Sequence, residues 1–145
     1  MYRPRSLLIL LTLSLLTAAC EPAQIVTEEE LFGFWTTQTE NDETGELSWM
    51  AIEFAQTMTD DDLAGLSNVY KTYTYPVGEM PNNRHRGGYE VVGDTIEWGV
   101  TWADDILEVG ETLTNNIDEY TGESITLSGG NNNLSLVFDK VEALP

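Results

Sequence analysis

The chain has 145 residues, 25 of them acidic against six lysines and arginines, for a formal net charge of −19. A body this acidic repels nucleic acid and anionic head groups, so no nucleic-acid partner is expected; it suits cations, a basic protein or a well-solvated surface. A single cysteine excludes a disulfide framework, and a hydrophobic core must supply the stability.

Arg3 and Arg5 form a basic start, and Leu7 to Leu16 is an apolar run too short to span a bilayer, which needs roughly 20 residues. Thr17-Ala18-Ala19-Cys20 then places small residues before the only cysteine. This segment resembles the lipobox of bacterial lipoproteins, in which the peptide is cut before the cysteine and the thiol is acylated. The alternative is an ordinary secretory leader with an incidental Cys20. The resemblance implies a leader at 1–19, a lipidated Cys20 with a tether over 20–30, and one domain over 31–145. Acyl chains at about 0.8 kcal/mol per buried CH₂ would hold the protein to the membrane without spanning it. Glu21, where an aspartate would signal inner-membrane retention, favours the outer membrane. From Cys20 onward the cations are Lys71, Arg84, Arg86 and Lys140, four against 25 acids, a formal −21.

Thr27-Glu28-Glu29-Glu30 reads as a capping box opening a helical turn, which Gly33 ends almost at once. Phe34-Trp35 and the threonines up to Thr39 open the first strand, and the cluster Asn41 to Gly45 turns the chain. In Ser48 to Gln56, Met50, Ile52 and Phe54 alternate with Trp49, Ala51 and Glu53. Glu53 belongs in water, which assigns the first set to the core and leaves Trp49 outside. Thr59 to Asp62 with Gly65 connects to a strand over Asn68 to Tyr75, where Val69, Lys71, Tyr73 and Tyr75 oppose Tyr70 and either face could be buried. Pro76 to Gly88 reads as the longest loop and holds the one basic cluster, Arg84-His85-Arg86.

Gly87 to Trp102 has the clearest pattern, two strands pinched at Gly93-Asp94. Its second half alternates strictly, which sets Ile96, Trp98, Val100 and Trp102 on one face. Ala103 to Asp105 breaks the chain, and strands follow over Thr112 to Tyr120, Ser124 to Ser128 and Leu134 to Phe138, separated by Gly122-Glu123 and by Gly129 to Asn133. About eight short strands with turns between them, and no long helix, predict an all-β antiparallel barrel or sandwich.

The helical turn, Gly33-Phe34-Trp35 at the first strand and the meander after it resemble the lipocalin plan, as do Gly88-Tyr89 to Ile96 and the late strands ending at Lys140. The resemblance implies an eight-stranded up-and-down barrel with a short N-terminal helical turn. In it the Gly-x-Trp pair Gly33 and Trp35 seals one end, and Lys140 stands where the family usually has an arginine. Ile117 to Tyr120 matches the family's Thr-Asp-Tyr element loosely.

Catalytic chemistry finds little footing, and a non-enzyme without a cofactor is expected. His85 is the one histidine, flanked by arginines that favour its neutral form. Gly122-Glu123-Ser124-Ile125-Thr126 fails the nucleophile elbow at Thr126. One histidine and an acylated cysteine give too few soft ligands for a zinc or copper site. Asp60, Asp62 and Gly65 fall at positions one, three and six of a calcium loop, but Ala64 and Lys71 occupy five and twelve and exclude the motif. A looser calcium site at Asp60 to Asp62 or at Asp104-Asp105 stays open, and Arg84 with Arg86 either clamps an anion or relieves the acidic surface.

Two functions follow. In the first, a membrane-tethered barrel takes a small apolar molecule into a pocket lined by Met50, Ile52, Phe54, Trp98, Val100, Trp102, Leu136 and Phe138. An eight-stranded barrel is just wide enough either for one such ligand or for its own side chains. In the second, the core is filled and the lipoprotein contacts a basic envelope protein through Trp49, the Pro76 to Gly88 segment and its acidic surface.

Overall fold

Alternating residues build a sheet that closes on itself. The structure, a computed structural model, describes residues 26–104, 106–130 and 134–145; Cys20, and with it the expected acylation, lies outside them. After a helical turn, α1 (Glu28–Leu31), come β1 (Gly33–Glu40), β2 (Leu47–Ala55), β3 (Val69–Pro76), β4 (Asn83–Val92), β5 (Thr95–Ala103), β6 (Thr112–Tyr120), β7 (Ser124–Gly129) and β8 (Leu136–Val141). Each strand pairs antiparallel with the next, and β8 returns to β1 with Trp35 opposite Lys140, which closes an eight-stranded up-and-down barrel. A closed barrel leaves no edge strand to aggregate. Among the described residues no helix is long and apolar enough to cross a membrane.

The connections after β1, β3, β5 and β7 gather at one end, and those after β2, β4 and β6 gather with α1 at the other. The α1 end is shut. Thr27 N–H donates to Glu30 Oε2 at 2.8 Å, the reach-back half of the capping box. Val26 and Leu31 are buried in the same cluster as Trp35, so the core includes Val26 from the segment read as tether. Gly33 has φ of +120°, and a Cβ there would press on the Lys140 side chain at 3.3 Å, so only glycine opens β1 without strain.

Inside the barrel one cluster joins Ile52, Phe54, Tyr70, Tyr89, Ile96, Trp98, Ile125, Leu127 and Phe138 to Trp35. This places the inward face of β2 as its alternation predicts. It also settles β3, whose Tyr70 face is the core. Ala51, Leu63, Val69, Tyr75 and Val100 are buried apart from that cluster. The β2–β3 connection lies over the outside of β3 to β5, tied there by Lys71–Asp60 at 2.6 Å and Arg86–Asp62 at 2.8 Å.

Two irregularities correct the sequence reading. Strand β4 begins at Asn83, so Arg84, His85 and Arg86 are strand residues and the loop before them is shorter than expected. Thr72 pairs with His85 and Tyr73 with Asn83, which leaves Arg84 as the extra residue of a β-bulge. Across β4 and β5, Gly87 pairs with Val100 but Arg86 with Trp102, so Thr101 is extra there. A bulge shifts the alternation by one place and re-aims the side chains beyond it. Trp102 therefore leaves the inward row and lies on the outer face, with the Arg86 guanidinium 4.4 Å above its ring. Gly87 permits this crossing, because a Cβ on it would collide with the Gly99 carbonyl oxygen.

Candidate functional site

The end of the barrel opposite α1 holds a cavity of about 680 Å³. That size falls within the range of roughly 300–1,000 Å³ typical of small-molecule sites. The apolar wall comes from Met50 and Ile52 on β2, Trp98 on β5, Leu113 on β6, Leu127 on β7, and Leu136 and Phe138 on β8. Thr39, Thr72, Thr74 and Asn115 add neutral polar groups, and Arg84 and His85 come from β4.

Of the eight residues expected to line a pocket, Met50, Ile52, Trp98, Leu136 and Phe138 do so. Phe54, Val100 and Trp102 do not. Phe54 sits among the buried aromatic rings, stacked on Trp98 with centroids 5.4 Å apart. Val100 is buried outside the core cluster, and Trp102 has been turned outward by the bulge. Thr72, Leu113, Asn115 and Leu127 were not anticipated as lining. A signal for the β3 members existed: Lys71 belongs in water as Glu53 does, which puts Tyr70, Thr72 and Thr74 inside.

Trp98 packs among aromatic neighbours. Beyond Phe54 it meets Tyr70 edge-to-face at 4.9 Å and Tyr89 at 6.4 Å. Its indole N–H is buried with no hydrogen-bond acceptor among the described residues. Tyr70 in turn has its hydroxyl 3.2 Å from His85 Nδ1. Trp35 at the shut end contrasts with this, since its Nε1–H donates to the Leu31 carbonyl at 2.6 Å. Lys140 Nζ stands 5.1 Å from the Trp35 ring centroid and donates to the Glu30 carbonyl at 3.3 Å. Tyr89 donates to the Glu28 carbonyl at 2.9 Å, and burial, more than the nearby Glu28 charge, pushes its phenol well above the ordinary value.

The two arginines read either as an anion clamp or as relief of the acidic surface are separated. Arg86 donates to both oxygens of Asp62, from Nε at 3.1 and 3.0 Å and from Nη2 at 2.8 Å, and its Nη1 donates to Asn83 Oδ1. That fork is fully engaged on the outer face and cannot clamp an external anion. The hydrogen bonds from Arg86, helped by Thr101, hold the Asp62 carboxyl below its usual value against the opposing effect of burial. On the same face Tyr73 donates to Glu53 at 2.7 Å; burial first, then Glu53, raises its phenol. Asp60 and Asp62 are thus occupied by cations of the chain itself, and no group of three metal-binding side chains occurs among the described residues. Asp105, one half of the other acidic pair, lies outside the described residues.

Compared with family models, with curated proteins and with solved structures, the chain matches none.

Proposed function

We propose that this protein is a lipid-anchored, lipocalin-like barrel of the cell envelope, held to the outer membrane through Cys20, that carries a small apolar ligand and catalyses no reaction. The observation that carries the reading is the cavity of about 680 Å³ walled by aliphatic and aromatic side chains from five strands. Natural cores pack without voids of this size, because an empty apolar space forfeits contacts on every wall. A site that takes a ligand recovers those contacts on binding. The lipocalin likeness is supported by the shut end, where Gly33, Trp35 and Lys140 stand together beneath a short helical turn. The anchor is supported by the leader and the small residues before Cys20.

Titration with Nile red, a neutral apolar dye, tests the reading. Binding at one site per barrel, competed by a long-chain alcohol, is expected. Replacing Leu127 by Trp narrows the cavity and should abolish binding while the barrel stays folded. Failure of the native protein to bind the dye, with the barrel folded, would remove the carrier function.

A second reading, contact with a basic envelope protein, rests on a different observation. Val77, Met80, Ile106, Val109 and Leu134 in the connections at the open end, with Leu47 at the first position of β2, are six of the large apolar side chains exposed on the described surface. Acidic residues alternate with them in 40–47 and 104–111. An apolar rim set among carboxylates suits a cationic amphipathic surface.

A further inference from the structure

Among the described residues Arg84 is the cation whose side chain finds no partner. Lys71 is held by Asp60, Arg86 by Asp62 and Asp60, and Lys140 by the Glu30 carbonyl over the Trp35 ring. Among the described residues no carboxylate or carbonyl accepts from the Arg84 guanidinium, in a chain with 25 acids. Its position is nonetheless fixed. The bulge leaves Arg84 unpaired on β3, and its own carbonyl accepts from Asp104 N–H at 2.7 Å on the other side. Arg84 is half-buried and lines the cavity, where it is the one permanently charged side chain of the lining among the described residues. Thr39, Thr74 and Arg84 all stand near the strand ends at the mouth, whereas Ile52, Trp98 and Phe138 lie deeper. The site thus has an apolar depth and a polar rim with one forked cationic donor.

We infer that the ligand is an amphiphile with a single anionic head group, carboxylate-like in its geometry, whose chain fills the cavity while its head accepts from Arg84. The inference rests on the apolar-ligand reading above and adds the head group to it. A guanidinium presents planar paired donors that match a carboxylate, and such charge-assisted bonds are roughly twice as strong as neutral ones. The acidic loops around the mouth oppose an anion, but they are exposed and screened by salt within about 8 Å at physiological strength. Arg84 acts at contact.

Three probes with one chain length separate the possibilities: dodecanoate, dodecanol and dodecyltrimethylammonium, each competed against Nile red at pH 7.5. The native protein is expected to bind dodecanoate at least about tenfold tighter than dodecanol, the least that a charge-assisted bond gives. Arg84→Gln should bring dodecanoate down to the dodecanol level and leave dodecanol unchanged, which also shows that the variant is folded. Equal binding of all three probes, a preference for the trimethylammonium, or a dodecanoate preference that survives Arg84→Gln would each overturn the head-group inference while leaving the apolar carrier standing. If no probe displaces the dye and the dye itself does not bind, both fall together.

Discussion

Trp35 and Trp98 face the same barrel interior and do opposite things there. Trp35 is wholly buried, its N–H bonded to Leu31 and its ring covered by Lys140. Trp98 is 4% exposed, stacks on Phe54, leaves its N–H without an acceptor and forms part of a cavity wall. One end of the barrel is closed by satisfied packing, and the interior beyond it keeps space and, among the described residues, an unanswered donor. On the proposed reading, stability and binding fall to different parts of the barrel, and a substitution should disturb one without the other.

The largest effect is expected at the shut end. Trp35→Ala removes a fully buried ring and leaves the Leu31 carbonyl without its donor, which should cost about 3–5 kcal/mol in denaturant unfolding. A loss below about 1 kcal/mol would mean that the α1 end does not hold the barrel shut. Next comes the bulge. Gly87→Ala drives a methyl against the Gly99 carbonyl, and a cost of about 1–3 kcal/mol is expected, together with a changed environment for Trp102 in near-UV circular dichroism.

Trp98→Phe sharpens the contrast. It gives up ring volume but removes a buried donor that has no acceptor, so the two changes oppose each other and stability should stay within about 1 kcal/mol of the native protein. Dye affinity should change all the same, since the wall has been altered. A stability loss as large as that of Trp35→Ala would erase the distinction between the ends.

The smallest effect concerns the outer strap. Asp62→Asn keeps the shape and loses the charge, for about 0.5–1 kcal/mol at neutral pH because the pair is part-exposed. Its pH dependence has a definite sign. A carboxyl held below its ordinary value in the folded state stabilises the fold at pH above the unfolded value, near 3.8. That contribution is lost as pH falls through the lower, folded value. The native protein and Asp62→Asn should therefore converge in stability as the solution is acidified below about pH 4, measured by urea unfolding at successive pH values; a gap that persists undiminished would show that Asp62 acts through shape alone.

Much of this architecture was legible in the chain. Ile52 and Phe54 alternate with Glu53, Ile96 and Trp98 with Glu97, and Gly93-Asp94 marks a hairpin, because strand periodicity and turn chemistry are local properties. The α1 capping was equally readable, whereas the place of Gly33 and Trp35 at the shut end was implied only by the resemblance to the lipocalin plan. Arg84, Arg86 and Trp102 were not. In the sequence the two arginines fall in a segment that reads as loop and Trp102 continues the inward row, yet two bulges send Arg86 and Trp102 outward and leave Arg84 at the cavity.

By itself the sequence determined about eight strands, the inward faces of β2 and of the regular part of β5, and an acidic exterior, since each depends on neighbours within a few residues. Only the tertiary structure decided where alternation breaks, because a bulge exists only relative to the strand beside it. It alone places a cavity at one end of the barrel. Whether side chains fill a barrel depends on their summed volume against a radius set by all eight strands together, and no single stretch of sequence contains that comparison.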